Sequence, residues 1–325
     1  MKLHTRIERW PVAGAFTISR GAKTHVDVVV AEIADGDHVG RGEGTAIYYH
    51  GESAESVLAQ VLAERAAIEK SLSRRELLLR MPRGAARNAI DCALWDLEAK
   101  KKGVPVWRLA GLGQPQPLET AFTISLADPT KMEADARASA HLPLLKLKLA
   151  GEGDEERVAA VRRGAPGARL IVDANEAWTG RDIAAEAATL AAYGVELIEQ
   201  PVKAGQDALL DRIDSPIPFA ADESCQDRSD LARCLGRYRA INIKLDKAGG
   251  LTEALALAAE AKAQGLEVMV GCMLATSLGI APAFLVGGQA RWVDLDGALL
   301  LAEDRPAAMH AENGLLEPPS PELWG

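Results

Sequence analysis

The sequence predicts an α/β protein: a (β/α)-barrel preceded by a smaller α+β domain. A repeat is the first observation behind this. From residue 120 onward a short β-rich run followed by an Ala-rich amphipathic stretch recurs eight times, about every 25 residues. The second is where the runs end: 25 residues separate Lys148 from Asp173, then 26 lead to Glu199, 23 to Asp222, 22 to Lys244, 27 to Gly271 and 25 to Asp296. Strand and helix alternating at this length call for a parallel sheet, and eight units close it. An open doubly wound sheet is the alternative. It would normally carry a Gly-rich phosphate loop after its first strand, and this sequence has none.

Taken in order, residues 1–112 read as the smaller domain. The alternation in 26–33 predicts a strand, and 53–79 and 84–101 read as helices. In the second of these, Ile90, Leu94 and Leu97 fall at i, i+4 and i+7, which makes one apolar stripe. Glycines and prolines cluster from Gly111 to Pro117 and mark a boundary. The barrel is expected over 118–297, its strands within 120–125, 144–149, 170–173, 195–199, 217–222, 240–244, 267–271 and 292–296.

Composition narrows the function. A net charge of -9 and a pI near 5.3, with no run of Lys or Arg, oppose binding of a nucleic-acid polyphosphate. The amino-terminal residues carry charges where a signal peptide needs an apolar run, and no stretch approaches a membrane span, so a cytoplasmic protein without a membrane partner is expected. Cys92, Cys225, Cys234 and Cys272 form no CxxC pair and suggest reduced core thiols. The 6 histidines are scattered singly, which argues against a histidine metal site or a histidine-based catalytic dyad.

In a barrel, side chains at the carboxyl ends of the strands converge on one mouth. Asp173, Glu199 and Asp222 end consecutive runs, in the strings Ile-Val-Asp-Ala-Asn, Leu-Ile-Glu-Gln-Pro and Ala-Ala-Asp-Glu-Ser. Singly, each could be a helix cap or a surface acid. Three converging carboxylates repel one another, and a hard divalent cation relieves this; Mg2+, with its preference for octahedral oxygen ligands, fits best. Lys146 and Lys148 share one face of a strand flanked by apolar residues, and Lys244 ends a strand on the opposite side of the ring. Burial and a nearby cation are expected to lower a lysine pKa and make the amine a base. A carboxylate bound to the cation would lose its α-proton to one lysine and regain a proton from the other, with inversion. The pair Asp294 and Asp296 on the last strand suits a cationic group of the substrate.

The strings at 84–97 (GAARNAIDCALWDL), 242–254 (NIKLDKAGGLTEA), 271–277 (GCMLATS) and 294–297 (DLDG), together with Lys146-x-Lys148, resemble the muconate lactonizing subgroup of the enolase superfamily, and within it the dipeptide epimerases. The resemblance runs along essentially the whole chain. It implies an enolase-type modified TIM barrel, an N-terminal cap and a tail over 298–325 returning to that cap. It also implies Mg2+ on Asp173, Glu199 and Asp222, Lys148 and Lys244 as the proton carriers, and a small dipeptide as substrate, foremost L-Ala-L/D-Glu from murein turnover. By the same resemblance Thr123, Lys146, Cys272, Met273, Asp294 and Asp296 bind substrate, Asp296 by its ammonium group. Arg20, in a cap loop, lends a guanidinium to the side-chain carboxylate, with Lys23 as a neighbouring rival. A muconate-type cycloisomerase or an o-succinylbenzoate synthase-like lyase is the alternative on the same scaffold, and a barrel reduced to a magnesium-binding scaffold is a third. The loop 42–52, with Gly44 and Ile47, and Ala275 depart from the pattern and leave side-chain specificity open. Barrels of this type commonly associate, which leaves a homo-oligomer open.

Overall fold

The computed structural model describes residues 1–18 and 21–325. Three antiparallel strands open the chain: β1 (Lys2–Ile18), β2 (Gly21–Asp35) and β3 (His38–Thr45), in the order β1-β2-β3. The central strand is buried on both faces. Val26, Val28 and Val30 join the core shared with the barrel, while Val29, Ala31 and Ile33 face the cap's own helices, as period 2 requires. The long helix Ala85–Lys102 lies directly on β3 because Gly40, Gly42 and Gly44 alternate there; a Cβ at any of them would strike the helix backbone at Ala93, Ala89 or Ala85. Gly44 is thus a packing residue. The expected single helix over 53–79 is three: Ala54–Ala63, Arg65–Glu69 and Arg74–Arg80. Ser71 turns the chain at φ 69°, and Ser73 with Glu76 forms a capping box that starts the third.

After a short strand β4 (Leu118–Glu119) come eight parallel strands in sequence order: β5 (Phe122–Ile124), β6 (Leu144–Lys148), β7 (Arg169–Asp173), β8 (Val195–Glu199), β9 (Phe219–Ala221), β10 (Ala240–Ile243), β11 (Glu267–Gly271) and β12 (Trp292–Asp294). Ala121 N donates to Val293 O at 2.8 Å and joins the first edge to the last. The interior is layered. Ala121, Leu144, Ile171, Leu197, Ala220, Ala240, Met269 and Trp292 form an apolar plug with a residue from each strand or its first flank. Above it the register aligns Lys148 with Asp173 and Asp173 with Glu199, so the charged residues occupy the layer nearest the mouth.

The cap docks on the barrel through the two longest strings singled out above. Arg87 donates to the Gly249 and Ala248 carbonyls at 3.0 and 2.6 Å, Asn88 Nδ2 to Asp246 Oδ1 at 2.8 Å, and Asp91 accepts from Thr252 N at 2.9 Å. Residues after β12 include a hairpin, β13 (Ala311–Glu312) and β14 (Leu315–Leu316), which pairs with β4. The last residues return to the long cap helix: Trp324 Nε1 donates to Cys92 O at 3.0 Å and Gly325 N to Asp96 Oδ1 at 2.9 Å. Among the described residues, no helix is long and apolar enough to cross a membrane.

Candidate active site

The carboxyl ends of β6 to β10 and of β12 carry a buried layer of paired charges. Lys146, 1% exposed, places Nζ 2.5 Å from Glu199 Oε2, 2.6 Å from Asp294 Oδ2 and 3.5 Å from Asp173 Oδ2. Lys148 Nζ donates to Asp173 Oδ2 at 2.7 Å, and Lys244 Nζ to Asp222 Oδ2 at 2.7 Å. A fourth lysine, Lys247, sits 2.7 Å from Asp222 Oδ1 and donates to the carbonyls of Asp222, Cys225 and Asn242 at 2.5, 2.8 and 3.0 Å. Asn242 Nδ2 holds Glu199 Oε1 at 2.6 Å.

These contacts set the proton affinities. Burial works hardest on Asp173 and would raise it, but Lys148, Lys146 and Lys244 together bring it down to about 2. Asp222 is held well below the ordinary value, its burial outweighed by Lys244 and Lys247. Glu199 goes up, because burial and its neighbour Asp173 outweigh the pull of Lys146. Among the protein's own groups alone, the depression expected from burial does not appear at Lys146 or Lys244. Burial does depress Lys244, yet Asp222 and Glu199 carry it well above its usual value, and Lys146 rises likewise beside Asp294, Glu199 and Asp173. With carboxylates as nearest neighbours, charge pairing wins over desolvation.

Lys148 and Lys244 face one cavity of about 190 Å³. β6 and β10 lie four strands apart in the eight-stranded ring, so the two amines enter from opposite sides. Asp222, Asn175, Cys272 and Met273 line the same space, and the cap closes it with Phe16, Ile18, Lys23, Tyr48 and Tyr49. Lys148 Nζ is 5.9 Å from the centre of the Phe16 ring. Lys23 Nζ lies 4.9 Å from the Tyr48 ring, and burial pulls its pKa down while Asp27 opposes.

The other expected site residues are placed as follows. Lys146 and Asp294 lie buried and paired with each other. Asp296 is buried, and its Oδ2 accepts from Thr123 N at 2.7 Å; burial and then the adjacent Asp294 push its carboxyl up to about 7. Arg20 lies outside the described residues. Lys247 was missed in the sequence, although it stands one helical turn after Lys244. The cap aromatics were missed as well, and the loop 42–52 that holds two of them was the only signal.

Among the described residues no three acidic, cysteine or histidine side chains stand grouped as a ready metal cage; Asp173, Glu199 and Asp222 turn instead toward ammonium groups. Their chemistry nonetheless suits a hard divalent cation. The acids end adjacent strands, and their buried carboxylate oxygens include Glu199 Oε2, directed at Lys146, and Asp222 Oδ1, directed at Lys247; such oxygens are the donor set a hard cation takes.

Residues 1–111 match the mandelate racemase / muconate lactonizing enzyme N-terminal domain, and residues 130–320 match the enolase C-terminal domain-like family. The chain belongs to the enolase superfamily. Within that superfamily it is 45% identical, over 95% of its length and 97% of the relative's, to the L-Ala-D/L-Glu epimerase of Escherichia coli strain K12. A crystal structure of an enolase family member from Agrobacterium tumefaciens with homology to dipeptide epimerases, containing sodium and L-Ala-L-Glu, is 51% identical over 99% of both chains, with a TM-score of 0.97. The dipeptide epimerase of Enterococcus faecalis V583, complexed with Mg and L-Leu-L-Tyr, is 31% identical over 98% of this chain and 96% of its own, with a TM-score of 0.90.

Proposed function

We propose that this chain is a dipeptide epimerase that inverts the α-carbon of the C-terminal residue, acting foremost on L-Ala-L/D-Glu released in murein turnover in the cytoplasm. The observation that carries the reading is the pair of lysines, Lys148 and Lys244, entering one small cavity from opposite strands. One amine takes the α-proton at its Nζ. The other delivers a proton to the opposite face, and the roles exchange for the other enantiomer. Mg2+, held by Asp173, Glu199 and Asp222, would supply the positive charge that stabilises the substrate carboxylate as the α-proton leaves.

The remaining groups orient the dipeptide. Asp296 receives its ammonium group, while Lys146 neutralises Asp294 and leaves Asp296 as the acid free to do so. Lys23, half-buried in the cavity wall, is a described cation placed for an acidic side chain, and Arg20 is assigned the same task. Phe16 and the cap tyrosines exclude water from the amines.

Incubation with a panel of L,L-dipeptides and Mg2+ in D2O, read by mass spectrometry, tests this. Deuterium at the α-carbon of the C-terminal residue is expected, most rapidly for L-Ala-L-Glu; no exchange with any dipeptide overturns the reading. Lys148→Ala and Lys244→Ala should each abolish epimerisation, and normal rates in both would remove the two-base assignment.

A further inference from the structure

Gln200 follows Glu199 directly, is fully buried, and stands at φ 37°, in the left-handed region that disfavours a side chain. Such a conformation persists where the surroundings over-determine it. Here they do. Gln200 N donates to Ala220 O at 2.9 Å and its carbonyl accepts from Glu176 N at 2.8 Å. Its side-chain Oε1 accepts from Asp222 N at 2.8 Å and Ser224 N at 3.1 Å. The Nε2 group shares its two protons among Val202 O at 2.7 Å, Ser224 Oγ at 2.9 Å and Tyr238 OH at 3.2 Å.

These partners have one thing in common. Apart from Ala220, on β9 just before Asp222, they belong to the turns that follow Asp173, Glu199 and Asp222, or they support those turns. Glu176 comes three residues after Asp173, and it and Asn175 also have positive φ, 68° and 43°. Asp222 N is the backbone of the third acid itself. Tyr238 backs the amide from outside, with its hydroxyl donating to buried Asp207 at 2.7 Å.

We propose that Gln200 is a positioning residue that sets the spacing of Asp173, Glu199 and Asp222, and thereby the affinity of the site for a divalent cation. The inference rests on the metal assignment under Proposed function. A small hard cation tolerates little error in the positions of its oxygen ligands, so whatever fixes those turns relative to one another governs affinity. The nearest replacements do not do the same. Glutamate lacks the two protons that hold Val202, Ser224 and Tyr238, methionine fills the volume without either function, and asparagine is a methylene too short to span from β8 to the turn after β9.

The test is Mg2+ titration of the purified full chain by calorimetry, with thermal melts of the same samples in EDTA. In Gln200→Met the Mg2+ dissociation constant should rise about 10-fold to 100-fold, the usual cost of losing a group that orients metal ligands. Tyr238→Phe keeps the amide and removes one acceptor, and should weaken Mg2+ about threefold. A purely structural role lowers the melting temperature and leaves the dissociation constant of the folded protein unchanged; that result in Gln200→Met overturns the proposal. If Gln200→Met does not fold, Tyr238→Phe decides, and wild-type Mg2+ affinity there overturns it. Failure of the metal assignment looks different: the wild-type chain itself would not bind Mg2+, or Asp222→Asn would bind it as well as wild type.

Discussion

Arg305→Met should destabilise the protein by an amount that depends on pH. The guanidinium reaches from the segment after β12 to the cap, where Nη2 lies 2.7 Å from Glu43 Oε2 and 2.9 Å from Glu8 Oε2, and Nε donates to Thr276 Oγ1 at 2.6 Å. Its side chain is 12% exposed and that of Glu43 0%, so the substitution strands a carboxylate in the interior. Breaking a buried pair in this way costs about 3–5 kcal/mol. Thr276 keeps two hydrogen bonds to Glu43, from its amide and its hydroxyl, which argues for the lower end. At about 2 cal/mol/K per residue over 325 residues, roughly 3 kcal/mol is a fall of roughly 4 °C in Tm. Burial already holds the Glu43 carboxyl above its ordinary value of 4.5, although Arg305 and Thr276 pull the other way. A folded-state pKa raised in this sense favours folding at low pH, and that contribution fades as pH climbs through it. Removing Arg305 raises it further, so the gap in Tm between the two proteins should be small near pH 5 and widen toward pH 8. Scanning calorimetry across that range checks the reasoning. A gap of equal size at both ends would show that Arg305 acts by packing on Trp10, 5.3 Å away, and not by neutralising Glu43.

Two further outcomes follow from the charged layer. Lys146→Met leaves Glu199, Asp294 and Asp173 without their shared ammonium and should lose at least about 3 kcal/mol in urea unfolding with EDTA present, part of it regained with Mg2+; equal stability in the two proteins would contradict the pairing described. Asp296→Asn should lower kcat/KM for dipeptides about 10-fold to 100-fold, the worth of a hydrogen bond to a charged group, while leaving an N-acetylated amino acid within about threefold. Parallel losses on both substrates would mean that Asp296 does not read the ammonium group.

Barrel topology explains why much of this site was legible beforehand. Once strands recur at near-constant spacing, residues far apart in sequence must meet at one end, and the convergence of Asp173, Glu199 and Asp222 with Lys148 and Lys244 follows from counting. Position is legible in that way; protonation is not. Depression by burial and a nearby cation was expected, and burial is readable from flanking leucines, whereas the carboxylates that raise Lys146 and Lys244 are contacts between strands. Gln200 and Lys247 escaped for a related reason. Their roles depend on left-handed turns and on carbonyls that point inward, neither of which leaves a periodic trace. Arg305 lies 262 residues from Glu43, and nothing local marks that pairing. The break before Ser73, by contrast, was announced by Ser-x-x-Glu within the stretch read as one helix.

The direct ion pairs at the mouth join Lys146, Lys148, Lys244 and Lys247 to Asp173, Glu199, Asp222 and Asp294, four formal positive charges against four negative. A buried layer balanced in this way needs no further counter-ion. Adding a divalent cation would leave two charges in excess, and two changes restore neutrality: one lysine gives up a proton, and one substrate carboxylate enters. Those are the two requirements of α-proton abstraction, a neutral amine and a bound carboxylate. Asp296 stands outside the ion pairs, held up near 7 by burial and Asp294, so an incoming ammonium group is what would stabilise its ionised form. Charge balance in this layer is therefore consistent with a substrate that brings a carboxylate at one end and a cation at the other, a requirement that a dipeptide meets.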